Sequence, residues 1–245
     1  MKQWTMGVAS LVALVAVVAG AFGPLGLTLT VAFVLVAAFG IGWPQYLGVP
    51  AAKTLGAIIA LAGAGGAIAA AYTGAPGYLR WLPVPLALGV AAVFVVQLLR
   101  GTGQSHRLES TLGASTGVVI SCLGAGWIAA QRFLVADRQL LLVTGVSAAV
   151  ALGIGLIRWP DRIVAPLAIL FGALAGPLAA LLLTDVHLLP AAVVGAAVAA
   201  VLASFRSLAV AGGPRRSVPA GAAMGIAPIL ALGALVYFID KLLIT

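Results

Sequence analysis

The sequence predicts an all-α, polytopic membrane protein with about nine transmembrane helices. Of the 245 residues, 63% are apolar and only 7% carry a charge, whereas soluble domains are roughly half apolar and a quarter charged. The mean hydropathy of +1.22 shows that the apolar excess runs through most of the chain rather than through one anchor. Soluble enzymes, disulfide-stapled secreted domains and disordered chains are thereby excluded.

Nine long apolar stretches follow one another along the chain. None alternates in the manner of a barrel strand, so each is expected to be a helix that satisfies its own backbone in hydrocarbon. The first is expected to persist as a transmembrane helix rather than to be a cleaved signal peptide. The predicted spans are residues 6–22, 25–42, 54–73, 81–99, 110–130, 139–157, 163–184, 188–205 and 219–239.

Short matches that recur in the same order indicate an internal duplication. They include Trp43-Pro44 with Trp159-Pro160, Gly40-Ile41-Gly42 with Gly153-Ile154-Gly155, and the pair Gly89 and Arg100 with the pair Gly195 and Arg206. Because the unit holds an even number of helices, the copies are expected to be parallel repeats about an axis along the membrane normal. The predicted organisation is an N-terminal transmembrane helix (1–23), a first four-helix repeat (24–133) and a second four-helix repeat (134–245).

Two local patterns carry structural expectations. Each Trp-Pro pair is expected to end a helix at the cytoplasmic surface, because proline opposes helix continuation and tryptophan suits the headgroup layer. The motifs Gly113-x3-Gly117 and Gly221-x3-Gly225 are expected to let helices approach closely, since lipid provides no hydrophobic drive between helices.

The basic residues predict the orientation of the chain. With the N-terminus in the cytoplasm and the C-terminus outside, nine basic residues lie inside and four outside, as the positive-inside rule requires. The net charge of +8 is therefore assigned to orientation and to anionic lipids rather than to nucleic acid. The expected location is a bacterial cytoplasmic (inner) membrane. The inside set is Lys2, Lys53, Arg100, Arg107, Arg158, Arg162, Arg206, Arg215 and Arg216, and the outside set is Arg80, Arg132, Arg138 and Lys241.

The sequence contains no recognisable catalytic arrangement. Two histidines and the single Cys122 are too few to converge on a metal, and no phosphate-binding glycine loop is present. Ser115 is predicted about one and a half turns in from the cytoplasmic face and His187 in an outer loop, roughly half a bilayer or more away, whereas a nucleophile and its base must lie about 3 Å apart. No enzyme activity, catalytic residue, metal or cofactor is expected. The acids are dispersed and are expected near the membrane surfaces: Glu109, Asp137, Asp161, Asp185 and Asp240.

Polar side chains are concentrated in the fifth predicted span. The candidate substrate-binding residues are Arg107, Glu109, Thr111, Ser115 and Thr116. Their spacing suits a hydroxyl-bearing stripe that faces the bundle interior, with the arginine and the glutamate at its cytoplasmic mouth. The structural alternative is that these hydroxyls bond to the carbonyl four residues earlier or to a neighbouring helix.

Three functions are compatible with these features. The preferred hypothesis is a permease-like carrier or flippase for an apolar or lipid-linked substrate, because duplication, glycines and prolines inside spans suit alternating arrangements. The alternative is a non-catalytic subunit or assembly factor of a larger cell-envelope membrane complex. A lipid-modifying enzyme is disfavoured because it would need clustered acids. The expected partners are membrane lipids and, under the alternative, other membrane subunits.

Overall fold

The chain folds into a bundle of apolar helices. The structure, a computed structural model, describes residues 2–100, 107–133, 139–157, 159–184, 186–212 and 217–243, and all regular structure in these residues is helical. Helices α5 and α6 form one rod, Arg107–Phe133, with a turn at Gly124. The helices are α1 (Lys2–Phe22), α2 (Leu25–Leu47), α3 (Ala52–Tyr72), α4 (Pro83–Leu99), α5 (Arg107–Leu123), α6 (Ala125–Phe133), α7 (Gln139–Gly155), α8 (Asp161–Leu183), α9 (Leu188–Ala211) and α10 (Val218–Leu243).

The lengths of the helices confirm the predicted class of α-helical membrane protein. Within the described residues, seven helical rods are long and apolar enough to cross a membrane. Helices α4 and α7 are apolar but have only 17 residues, which at 1.5 Å per residue span about 26 Å. Seven of the predicted spans overlap these rods and the other two overlap α4 and α7, while the count of nine crossings stays a prediction.

Helix α10 lies at the centre of the bundle and contacts α1, α2, α5, α6, α7 and α9. Glycines make these contacts close. A methyl group placed on Gly225 would lie 2.4 Å from the Met6 carbonyl oxygen of α1, and one on Gly126 of α6 would lie 2.1 Å from the backbone nitrogen of Ala234. The expected close approach at Gly225 is therefore confirmed.

The prediction that Pro44 ends α2 is wrong. The helix continues to Leu47 and ends at Gly48, whose φ of 66° is left-handed and costs glycine no steric strain. A proline removes the hydrogen bond to the carbonyl four residues earlier and its ring crowds that group, which here is the carbonyl of Gly40. Helix α3 packs on this carbonyl through Gly56, where an added Cβ would lie 2.4 Å from the oxygen.

The second Trp-Pro pair does lie between helices, because α7 ends at Gly155 and α8 begins at Asp161. Trp159 is exposed, as expected for a headgroup-layer tryptophan, whereas Trp43 is 6% exposed. The interfacial position expected for Trp43 is therefore wrong. Its ring is covered because α2 continues past it and carries it against α5.

The described helices fall into two groups joined by two helices. Helices α7, α8 and α9 all pack on one another, and among the described helices their backbones approach the rest only at α1 and α10. At the end of α9, Gly212 also lies against the hydroxyl of Tyr46 on α2. Helices α2, α3, α5 and α6 pack together on the other side, and α4 covers α3 and α5. A seam therefore separates the α7–α9 group from α1 and α10.

One observation favours the predicted duplication and another opposes it. Arg100 and Arg206, which correspond in the proposed repeat, donate to the carbonyls of Pro50 (3.3 Å) and Ile157 (3.2 Å), each in the loop after the first helix of its copy. In contrast, Gly40 is tightly packed, while an added Cβ on Gly153 would meet nothing within 4 Å. The two four-helix repeats stay a prediction.

Candidate functional site

The hydroxyl side chains of α5 point to different faces of the helix. Thr111 is 8% exposed, and its Oγ1 donates to the Arg107 carbonyl at 2.8 Å. Ser115 is half-buried, and its shielded Oγ has no hydrogen-bond partner among the described residues. Thr116 is exposed and donates to the Leu112 carbonyl at 2.9 Å. Thr111 and Ser115 thus lie inward, and Thr116 lies outward.

The two charged candidates lie in the first turn of α5. Arg107 is half-buried and Glu109 is exposed. An acid in this turn interacts favourably with the positive end of the helix dipole. With a rise of 1.5 Å per residue, about 12 Å separate Arg107 from Ser115 along the helix.

Trp43 packs on the glycine motif of α5. Its Nε1 donates to the Gly113 carbonyl at 2.9 Å, and a methyl group on Gly117 would lie 2.5 Å from its ring. The Tyr46 ring stacks on it with a centroid distance of 5.5 Å, and the Phe39 ring lies tilted beside it at 5.1 Å. The motif therefore accommodates side chains of α2, the Trp43 indole at Gly117 and Leu47 at Gly113, and not the backbone of another helix.

A buried polar pair joins α4 to α5. The Gln97 Nε2 donates to the Ser110 Oγ at 2.6 Å, and the two residues are 3% and 1% exposed. Gln97 is not among the candidates predicted from the sequence. A glutamine inside an apolar helix nevertheless indicates a polar partner in the bundle, because an unpaired amide is costly in hydrocarbon.

An open pocket lies at the other end of α3, where the chain turns into α4. It measures about 690 Å³ and is lined by residues 68–69, 72–77 and 80–81. Tyr72 and Trp81 are exposed at its rim. The Arg80 guanidinium carbon lies 5.7 Å from the centroid of the Trp81 ring. We call this site the α3–α4 pocket; it has a cation, aromatic surfaces and free volume in one place.

A basic residue from α6 supports the wall of this pocket. Arg132 donates to the carbonyls of Ala70 (2.9 Å) and Thr73, and its guanidinium carbon lies 4.6 Å from the centroid of the Tyr78 ring. Phe133 contacts the rings of Tyr78 and Tyr237 edge-on. These contacts fix the end of α3 and the following segment relative to α6.

Asp240, expected near a membrane surface, lies in the last turns of α10 and is only 1% exposed. The neighbouring protein therefore covers it, which its position near the end of a helix does not reveal. Among the described residues, no three of the types His, Cys, Asp and Glu come together as a metal site would require.

Comparisons of the chain with models of protein families, with curated proteins and with solved structures gave no match. The functional argument therefore depends on the geometry of this chain alone. Its long apolar helices and their packing assign it to the multi-pass, α-helical membrane proteins.

Proposed function

We propose that the protein is a non-enzymatic carrier or flippase for an apolar or lipid-linked substrate in a bacterial cytoplasmic membrane. The observation that carries this proposal is the seam between the α7–α9 group and the rest of the bundle, where the close backbone approaches among the described helices are those of α1 and α10. Alternating access commonly proceeds by rocking one helix group against another around a fixed site.

Two contacts that α1 makes across the seam are apolar and shallow. A methyl group on Gly145 of α7 would lie 3.2 Å from the nearest methyl carbon of Val18 of α1, and one on Gly7 would meet the flexible end of Leu156. Apolar contacts of this kind exchange partners at small cost, because each pair of atoms contributes only about 0.1–0.2 kcal/mol.

Hydrogen bonds between helices hold together the part of the bundle that lies outside the α7–α9 group. Ser10 donates to the Gly225 carbonyl at 2.8 Å, joining α1 to α10. Trp127 donates to the Ile229 carbonyl at 2.7 Å, joining α6 to α10. With the Trp43 and Gln97 bonds described above, these contacts favour a stable unit that includes α1 and α10, against which the α7–α9 group moves.

The proposed substrate path runs along the inward side of α5. Thr111 and Ser115 line it, and Arg107 and Glu109 stand at its cytoplasmic mouth. Thr116 belongs to the same stretch of sequence but lies on the exposed face in the described arrangement. The uncommitted hydroxyl of Ser115 supports this path, because a shielded oxygen without a partner favours an acceptor or donor from a substrate.

A cysteine pair across the seam tests the proposed motion. In a Cys122→Ala background, Val18→Cys with Gly145→Cys suits a disulfide, because the Val18 Cβ and a Cβ built on Gly145 lie 4.0 Å apart, close to the usual separation of about 3.8 Å. The control pair is Gly66→Cys with Ala125→Cys, 3.5 Å apart between α3 and α6 on one side of the seam.

The assay uses vesicles that contain the purified protein and fluorescent NBD-phosphatidylglycerol. A flippase exposes label from the inner leaflet to external dithionite. We expect oxidation of the seam pair to abolish this exposure and oxidation of the control pair to leave it unchanged. Full activity with the seam pair completely cross-linked would exclude the proposed motion.

Topology and the alternative function are tested separately. In intact cells, an impermeant thiol reagent should label Asp185→Cys but not Gly103→Cys, and the reverse result would overturn the orientation. Purification in mild detergent should give the chain with bound lipid. A stoichiometric protein partner would instead favour a subunit of a larger membrane complex.

A further inference from the structure

We propose that the α3–α4 pocket binds the anionic phosphate headgroup of a membrane lipid. The pocket opens beyond the last turn of α3, where the aromatic residues Tyr72 and Trp81 are exposed. Tyrosine and tryptophan concentrate at the headgroup level of membranes. The inference concerns binding at this end of the bundle and does not depend on transport.

Arg80 is the group that recognises the anion. It is exposed and lines the pocket, with its guanidinium near the Trp81 ring. A guanidinium presents a planar fork of donors that matches two phosphate oxygens, and it can stack on an aromatic ring while doing so. The tryptophan therefore orients the cation without consuming its donors.

The end of α3 would ordinarily oppose an anion. Unpaired carbonyls at a helix C-terminus carry a partial negative charge. Here Arg132 donates to the carbonyls of Ala70 and Thr73, so a cation covers the groups that would repel a phosphate. Arg80 of the connecting segment and Arg132 of α6 thus favour negative charge in one place.

The surroundings favour a lipid over a free phosphate. Exposed apolar side chains continue from the pocket along both helices: Leu61 and Ile68 on α3, and Val84 and Leu88 on α4. They give acyl chains a surface to lie on. The pocket volume of about 690 Å³ is within the range of about 300–1,000 Å³ typical of small-ligand sites, which suits a headgroup.

Native mass spectrometry of the full chain in detergent, with added phosphatidylglycerol or phosphatidylcholine, measures this binding. We expect the wild type to retain phosphatidylglycerol preferentially. Arg80→Gln should weaken that retention about fivefold, as expected for the loss of one surface charge contact. The matched control is Arg162→Gln, which changes an exposed arginine on α8 and should have no effect.

A second variant fills the pocket without removing charge. An added Cβ on Gly74 meets nothing within 4 Å, so Gly74→Leu should fold normally and displace the headgroup. Gly26→Leu is its control, since Gly26 on α2 is equally open and lies outside the pocket. We expect Gly74→Leu to reduce phosphatidylglycerol retention and Gly26→Leu to leave it unchanged.

Three results would overturn the proposal. Unchanged retention in Arg80→Gln would show that the arginine binds no lipid. Equal losses in Arg80→Gln and Arg162→Gln would show general surface attraction instead of a site. Displacement of the lipid by an equal concentration of glycerol 3-phosphate would show that a free phosphate ester, and not a lipid, is the preferred occupant.

Discussion

The contact between α6 and α10 at Gly126 provides the sharpest test of the packing. A Cβ at this position would lie 2.1 Å from the Ala234 nitrogen and 2.2 Å from the Gly233 carbonyl carbon. Both obstacles are backbone atoms of α10, so no side-chain rotation can remove them. We predict that Gly126→Ala, the smallest possible substitution, destabilises the protein.

The geometry sets the size of the effect. Ordinary Cβ contacts begin at 3.4 Å, so the two helices would have to separate by about 1.3 Å at their closest point. Overpacking a well-packed interior costs about 1–3 kcal/mol, and a backbone obstacle favours the upper part of that range. Helix α10 is the central helix, so the displacement also reaches its contacts with α1 and α2.

A glycine-to-alanine substitution at an open position should instead stabilise the protein. Gly153 in α7 is exposed and has nothing within 4 Å of an added Cβ, so Gly153→Ala should stabilise the helix by about 0.5–1 kcal/mol. Thermal unfolding in detergent compares the two variants. At about 2–4 °C per kcal/mol for a chain of this size, their midpoints should differ by several degrees. Equal midpoints would refute the described α6–α10 crossing.

Three further outcomes follow from individual side chains. Trp43→Phe removes the indole hydrogen bond and should lower the free energy of unfolding by about 1 kcal/mol. Trp159→Phe, at an exposed site, should change it little. Equal effects of the two substitutions would contradict the burial of Trp43. Gln97→Leu leaves the Ser110 hydroxyl without this partner, so it should destabilise more than Gln97→Leu combined with Ser110→Ala, as a double-mutant cycle in detergent would show. Cys122 is 0% exposed and should react with maleimide only after unfolding; rapid labelling of the native protein would contradict its position.

The fold class and the approximate helix positions were predictable because apolar length alone decides them. A stretch long enough to cross hydrocarbon must bond its own backbone, whatever its neighbours are. The residues at which helices end depend on local backbone conformation and on packing against neighbouring helices. Pro44 does not end α2, because the Gly40 carbonyl that it leaves without a hydrogen bond packs against Gly56. The helix ends instead at Gly48, which adopts a left-handed backbone that composition does not display.

The candidate site was less accessible to sequence reasoning because adjacent helical residues point about 100° apart. Ser115 and Thr116 are equally polar in sequence, yet only the neighbouring helices decide that one is shielded and the other exposed. The hydroxyl stripe was inferred from residue type and spacing, and spacing cannot say which face a bundle covers. Trp43 was likewise assigned to the lipid interface because the partner helix α5 is not visible from its own sequence context.

The α3–α4 pocket shows why such sites escape detection from sequence. Its rim comes from a short connecting segment that carries no motif, and its stability depends on Arg132, which is more than fifty residues further along the chain. The sequence predicts the same role for Arg80 and Arg132, which is to orient the chain in the membrane. In the structure they have different roles, because one faces the open volume while the other binds the carbonyls that close the end of α3. A charge near a membrane surface therefore acquires a binding role only when the backbone beside it leaves space and a second cation removes the local repulsion.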